Sequence, residues 1–215
     1  MLHVAIIADG NRRWAKNQGY PSAFGHYAGL FTIEHISQWA IRNKISYITV
    51  YAWSTENWRR SDEEVSHMFD LARVYFSEKL WWYKQNDIRV QLYGRTDRLP
   101  EDIVDLVNIV ESETCECKSL TLTLMIDYGG KDDILRAANQ GIIDEGIMNV
   151  YMNRMFPDPE LIIRTGGRHR LSNFMLWQGA YSEILFLDTL FPDLTDNDLD
   201  DAISWYNNQI RNFGK

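Results

Sequence analysis

The chain has 215 residues, 45% hydrophobic and 13% aromatic, enough to bury a sizeable core as one domain over residues 1–215. Its formal net charge of −8 argues against a nucleic-acid partner, because neutralising phosphates takes a surplus of Lys and Arg. The two cysteines, Cys115 and Cys117, are too close in sequence for an unstrained disulfide and lack further ligands at metal spacing, so they read as reduced thiols of a cytoplasmic protein. Charged residues from Asp9 onward speak against a signal peptide, and no apolar run approaches the ~18 residues that span a bilayer. A soluble protein is expected, with contact at a membrane surface left open.

In chain order, HVAII (3–7) is apolar without alternation, as in a strand covered on both faces. Residues 26–43 then place Ile33, Ile36 and Ala40 at helical spacing. ISYITVYAW (45–53) reads as a strand. Ser61 followed by Glu64 reads as a capping box opening a long helix to residue 85, with Val65, Met68, Phe69, Ala72, Phe76 and Leu80 on one stripe. IRVQLYG (88–94) is a strand and 100–114 a helix. LTLTLMI (120–126) is a strand whose Leu/Thr alternation predicts one less buried face. A helix over 130–145, strands ELIIR (160–164) and EILFL (183–187), and a helix over 195–210 complete the chain. The five aspartates of DLTDNDLDD (193–201) are expected to solvate the start of that last helix. This alternation predicts an α/β domain: a central, mostly parallel six-stranded sheet flanked by helices, with right-handed crossovers.

Polar or glycine-rich clusters follow four of the six strands: Asp9–Arg13, Ser54–Arg60, Asp127–Gly130 and Thr165–Arg170. Open parallel sheets bind ligands beyond the carboxyl ends of their strands, so these clusters are expected to converge on one rim. Arg12, Arg13, Arg60, Arg164 and Arg170 offer forked donors suited to phosphate oxygens. Gly10, Gly166 and Gly167 permit close backbone approach, and helix N-termini after them would add amide donors. Asp9 and Glu183 stand at strand ends; each reads either as a salt-bridge partner or as a Mg²⁺ ligand, since Mg²⁺ takes one or two carboxylates plus phosphate oxygens. Trp14, Trp53, Trp58 and Trp177 lie in or beside these motifs. They read first as core, yet apolar walls beside a charged rim suit a substrate with a diphosphate head and a hydrocarbon tail.

HVAIIADGNRRWAK, GHYAG, YAWSTENWRR, DYGGKDDI, RTGGRHRLSNFMLWQGAYSEILF and FPDL occur in the order found in the cis-prenyltransferases, and the chain resembles the undecaprenyl diphosphate synthases of that family from residue 3 to Gly214. The resemblance implies condensation of isopentenyl diphosphate onto an allylic prenyl diphosphate, a parallel-sheet fold with an apolar tunnel for the product, Mg²⁺ as cofactor and a homodimer. It assigns Asp9 as the essential acid, holding Mg²⁺ with Glu183. Gly10, Asn11, Arg12 and Arg13 would cradle the allylic diphosphate, with Trp14 and His26 beside them. Ser54, Thr55, Glu56, Asn57, Trp58 and Arg60 would line the reacting centre. Arg164, His169, Arg170, Leu171 and Ser172 would form the isopentenyl diphosphate stretch. Asn57 is the family's candidate for helping proton removal; an amide is a poor base, and a substrate diphosphate oxygen is an equally reasonable acceptor.

The chain departs from the family pattern at several positions. Ala8 stands where Met is common, Ser22 where an arginine often precedes the GH pair, Arg60-Ser61 where RP is familiar, and Arg168 where RTGGE has its glutamate. The C-terminal RxG, which in relatives reaches a partner's site, reads Asn212-Phe213-Gly214, and the stretch from Gly130 to Glu160 is short. These changes leave the motif acids and most diphosphate contacts in place and weaken any statement about the product. Two other readings follow: an atypical relative making a short or irregularly joined prenyl diphosphate, and a non-catalytic partner subunit. The second sits poorly with the survival of Asp9, Asn11, Arg13, Asn57 and Arg170.

Overall fold

The computed structural model of the chain describes residues 2–211. Strands form at all six apolar runs: β1 (His3–Ile7), β2 (Tyr47–Ser54), β3 (Ile88–Tyr93), β4 (Leu120–Tyr128), β5 (Leu161–Arg164) and β6 (Glu183–Phe186). They make one sheet in the order β3-β4-β2-β1-β5-β6, and every neighbouring pair is parallel. Between them lie α1 (Asn11–Asn17), α2 (Ser22–Arg42), α3 (Asp62–Gln85), α4 (Glu101–Thr114), α5 (Gly130–Asn139), α6 (Glu145–Met152) and α7 (Asp196–Asn207). The chain leaves β1 toward β2 on one side and returns to β5 on the other. That reversal of direction opens a crevice beyond the carboxyl end of β1.

Each sheet face has its own core. One face packs Val4, Ile6, Ile48, Val50, Leu122, Leu124 and Ile163 against α2, α3, α4 and α7; the other packs Ala5, Ile7, Tyr51, Tyr93, Met125 and Ile162 against Phe156, Phe174 and Met175. β1 is buried at all five positions, as its unbroken apolar run requires. β4 differs from its sequence pattern. Lying between β3 and β2, it is covered on both sides, and Thr123 is buried opposite Thr49 and Gln91. Thr49 in turn meets His3 Nε2 at 2.8 Å, so the alternating Thr marks a buried polar row rather than an exposed face.

The helix ends carry most of the other differences. Ser61 caps α3 by accepting from Glu64 N–H at 3.3 Å, but the reciprocal arm of the box is not made: the Glu64 carboxylate takes Arg60 Nη1 at 2.9 Å, a stronger charge-assisted partner. The helix expected over 130–145 ends at Asn139, where Gly141 turns with φ 80°, and Asp144 caps a separate α6. The aspartates near α7 do more than solvate it. Asp196 accepts from His35 Nε2 at 2.5 Å and Arg42 Nη2 at 2.6 Å, Asp200 from Trp39 Nε1 at 2.8 Å, and together they lash α7 to α2. The Asn212-Phe213-Gly214 stretch lies outside the described residues.

Candidate active site

The motif Asp9-Gly10-Asn11-Arg12-Arg13 does not stay a loop. Gly10, with φ 119°, turns the chain out of β1 directly into α1, a seven-residue helix. A Cβ at Gly10 would meet Leu190 at 2.9–3.0 Å, so packing as well as conformation demands glycine there. The glycines of GHYAG have a similar reason. They lie inside α2, where a Cβ on Gly25 would collide with the Asn11 carbonyl and one on Gly29 would meet Asn11 Oδ1 at 2.9 Å. They let α1 and α2 approach closely, which points His26 into the crevice.

That crevice is a cleft of about 820 Å³ at the carboxyl ends of β1, β2 and β5. It brings together Asp9, Gly10, Asn11, Arg12, Arg13, His26, Ser54, Glu56, Asn57, Arg60, Arg164, Arg170 and Ser172 from four separated stretches of chain. Arg164, only 4% exposed, is its anchor. Arg164 Nη2 donates to Asp9 Oδ2 at 2.8 Å, and Nη1 to the Arg170 carbonyl at 2.5 Å and Ser172 Oγ at 2.7 Å. Arg13 Nη2 donates to Asp9 Oδ1 at 3.1 Å. Thr165 Oγ1 donates to the Asp9 carbonyl at 2.7 Å and accepts its N–H at 3.0 Å, fixing the backbone of Asp9. Arg164 Nε and Asn11 Oδ1 are buried without a hydrogen-bond partner among the described residues.

Five arginines against Asp9 and Glu56 make this cleft cationic in a chain of net charge −8. Burial, then the Arg60 and Arg12 guanidinium charges, push the His26 imidazole down to about 4, with Glu64 opposing, so it stands neutral at the cleft wall. Asn57 is held by its own turn: Oδ1 accepts Ser54 N–H at 3.1 Å. Its remaining polar group is the NH₂, a donor only, so the amide can orient a substrate oxygen but is not set to take a proton.

Several expected residues stand off the cleft. Trp14 Nε1 donates to Asp193 at 2.7 Å, and Trp58 Nε1 to the buried Asp127 at 2.8 Å, where the Arg98 guanidinium also binds Asp127 and lies over the Trp58 ring. Thr55 donates to Glu56 Oε2 at 3.2 Å, His169 stacks on Phe186 with centroids 4.8 Å apart, and Leu171 packs on the second core. Gly166 and Gly167 are in left-handed conformations, yet their N–H groups donate to the Thr189 and Leu187 carbonyls at 2.8 Å. Their role is packing against Asp9, Arg13 and Asp188 rather than offering amides to a ligand. Glu183 starts β6 opposite Leu161, whereas Asp9 lies beyond Ile7, which pairs with Arg164 at the other end of β5. Within one chain the fold therefore sets Asp9 and Glu183 at opposite ends of the sheet.

Sequence reasoning did not single out Tyr51, Ala52 and Asn173, which also line the cleft. Asn173 stands inside the SNF of the arginine loop with φ 65°, a conformation Asn tolerates and a signal that the motif itself carries. Beyond His26, Leu30, Ile33, Ala52 and Met68 the cleft meets an apolar cavity of about 80 Å³, walled by Trp53, Phe69, Tyr75 and Phe76.

The family model described as "Putative undecaprenyl diphosphate synthase" matches residues 7–214. The chain belongs to the undecaprenyl diphosphate synthase family. It is 42% identical to an isoprenyl transferase of Aquifex aeolicus over 99% of this chain and 95% of that one, and 40% identical to an isoprenyl transferase of Treponema denticola over 100% and 97%. Among solved structures, the lavandulyl diphosphate synthase of Lavandula x intermedia in complex with dimethylallyl diphosphate superposes with a TM-score of 0.91 at 34% identity, covering 99% of this chain and 98% of that one. A probable undecaprenyl diphosphate synthase of Campylobacter jejuni gives 0.85 at 32%, with the same coverage. As a cis-prenyltransferase with this parallel six-stranded sheet, the protein is an enzyme that transfers prenyl groups.

Proposed function

We propose that residues 1–215 form one catalytic domain that condenses isopentenyl diphosphate with an allylic prenyl diphosphate, lengthening the chain with a cis double bond. The observation that carries this is the arginine-lined cleft opening directly onto an apolar cavity, a head-and-tail arrangement matched to a prenyl diphosphate. Arg12, Arg13 and Asn11 hold the allylic diphosphate; Arg164, Arg170 and Ser172 hold the isopentenyl diphosphate. Breaking the allylic C–O bond builds negative charge on the leaving diphosphate, and fixed guanidinium groups lower that barrier. Holding the second double bond against the allylic carbon lets the new C–C bond form, after which a proton leaves the isopentenyl unit. With Asn57 committed as a donor, a diphosphate oxygen is the better acceptor for that proton.

The residues fit Mg²⁺. Asp9 is a part-exposed carboxylate on the cleft wall, and oxygen donors from a substrate diphosphate would complete its shell. Bound there, the ion supplies charge stabilisation of the leaving group. Arg13 and Arg164, which now neutralise Asp9, are placed to turn to phosphate oxygens when substrate arrives.

A homodimer is part of this reading. The β3 edge is blunted by its own chain, with Val90 N–H on Thr114 Oγ1 and Leu92 N–H on Glu111 Oε1. β6, the other edge, pairs on one side only among the described residues, and Ile143 and Val150 expose apolar surface at 88% and 73%. Two β6 strands meeting antiparallel would carry the partner subunit's Glu183 toward the cleft end of β6, where it can serve the metal. No helix among the described residues is long and apolar enough to cross a membrane. The exposed aromatics Phe24, Tyr27 and Phe31 along α2, with Tyr20 just before it, suit contact with a membrane surface during product release by a cytoplasmic enzyme.

A second reading, a short or irregularly joined product, is favoured by the cavity's small volume and by the lavandulyl diphosphate synthase likeness. The test is incubation with isopentenyl diphosphate, Mg²⁺ and allylic primers of several lengths, with products sized by mass spectrometry. Long cis-polyprenyl diphosphates support elongation, and products of one or two added units support the short-chain reading. No product with any primer would point to a non-catalytic subunit.

A further inference from the structure

Asn173 joins the two halves of the cleft through a single side chain. Its Nδ2 donates to Glu56 Oε1 at 2.9 Å, its Oδ1 accepts Lys131 N–H at 2.9 Å, and its carbonyl accepts Gly130 N–H at 2.7 Å. The amide has no room to swing, because Gly129 faces it so closely that a Cβ there would meet both Asn173 Nδ2 and Thr55 Oγ1 at 2.6 Å. On its N-terminal side, Ser172 (φ 50°) receives Arg164 Nη1, and the Tyr51 hydroxyl donates to the Tyr128 carbonyl at 3.1 Å and reaches that of Ser172 at 3.5 Å. The loop carrying Arg170 and Ser172 is thus pinned at Arg164 behind and at Asn173 ahead. The turn carrying Glu56 and Asn57 is tied to the same amide.

We propose that Asn173 is a positioning residue that sets the Arg170–Ser172 loop and the Glu56 carboxylate in register, and so determines affinity for the diphosphate held by Arg164, Arg170 and Ser172. The proposal rests on the two-diphosphate reading above. An Asn suits the task because it adopts a left-handed backbone at little cost while offering one donor and one acceptor in a fixed plane. Burial pushes the Glu56 carboxyl up, but the hydrogen bonds led by Asn173 outweigh it and hold the group below its usual range. The other groups facing Glu56 are the Ser54 and Thr55 hydroxyls and the Tyr51 phenol, which burial pushes up and keeps protonated.

Asn173→Gly removes the amide without penalising the positive φ, and Asn173→Asp keeps shape and conformation while setting a second carboxylate against Glu56. Steady-state kinetics of the full chain with Mg²⁺, varying each diphosphate in turn between pH 5.5 and 8.5, separate the effects. For Asn173→Gly, KM for isopentenyl diphosphate is expected to rise about tenfold, a loss of about 1.4 kcal/mol, with KM for the allylic diphosphate within about twofold. For Asn173→Asp, the same KM rise appears at pH 8 and recedes toward pH 5.5, where one proton shared by the two carboxyls restores the bond. Adding Glu56→Gln to Asn173→Asp reverses the donor and acceptor and should recover most of the affinity at pH 8. Unchanged KM values, or an equal fall in every parameter at every pH with a lower melting temperature, would overturn the positioning role. An inactive wild-type enzyme in the same assay would instead overturn the two-diphosphate reading.

Discussion

Arg164 Nη2 lies 2.8 Å from Asp9 Oδ2, so the motif acid at the end of β1 is the counter-ion of the nearly buried arginine at the end of β5. Asp9 therefore does two things: it neutralises an arginine the fold has taken out of water, and it presents a carboxylate to the cleft. The two alternatives left open by sequence, salt bridge or metal ligand, are successive states of one group in the proposed cycle.

Replacing Asp9 separates these roles. Asp9→Asn keeps the side chain's size but leaves one acceptor oxygen for two guanidinium groups and no counter-charge for Arg164, so turnover should fall at least about 100-fold and stability by about 1 kcal/mol. Asp9→Ala leaves the Arg164 guanidinium unpaired and should cost about 2 kcal/mol of stability as well. Product formation and urea unfolding on both variants check this; full activity in Asp9→Asn would remove the acid from the mechanism.

Glu183 tests the subunit arrangement. Asp9→Asn and Glu183→Ala chains are each expected to be poorly active alone. When they are unfolded together and refolded, one site per mixed dimer regains Asp9 facing the partner subunit's Glu183, and up to about a quarter of wild-type activity should return, from random pairing with one intact site of two. No recovery in a mixture shown to be dimeric would place Glu183 outside the site.

Asp127 is fully buried, held at φ 49°, and binds both the Trp58 indole and the Arg98 guanidinium. Asp127→Ala should lower stability by roughly 2 kcal/mol, because it takes the acceptor from the Trp58 N–H, while the exposed Arg98 guanidinium can turn to water. Trp58→Phe deletes the N–H and one of the indole's two rings, leaving a gap beside Trp53 and Phe69, so about 2 kcal/mol is expected. Equal urea midpoints for Asp127→Ala and wild type would contradict this.

Acid should weaken the fold through His3. Burial lowers its imidazole to about 4, against hydrogen bonding at Pro157, from an ordinary value of 6.5. The unfolded chain thus takes up this proton first. The stabilisation is complete above pH 6.5 and is lost as pH falls from 6.5 toward 4, by roughly 3 kcal/mol. His26 adds a loss in the same window. Urea midpoints at pH 7.5, 6 and 5 should converge between wild type and His3→Gln as pH falls; a constant gap would argue against a neutral buried His3.

The strands were legible because local chemistry decides them: the runs VAII and LII carry no polar side chain, and both lie in inner strands of the sheet. The convergence of residues 9–13, 54–60 and 164–172 on one cleft was also legible, since these stretches follow strand ends that a parallel sheet must bring to one rim, whereas His26 arrives from α2. The partners of the Trp58 and Trp14 indoles were not legible, because a motif says which residues are near in sequence and not which way an indole turns. Their N–H groups found Asp127 and Asp193, acceptors 69 and 179 residues away.

By itself the sequence determined the layered α/β architecture through apolar periodicity, the cationic rim through residue type, and the family through the resemblance its ordered motifs carry. Only the tertiary structure decided which groups meet: that Arg164 neutralises Asp9, that Asn57 spends its oxygen on Ser54, that Asn173 bridges to Glu56, and that Glu183 stands at the far end of its own sheet. Register between strands distant in sequence sets those distances, and a hydrogen bond made or missed over a few tenths of an ångström is invisible to spacing along the chain.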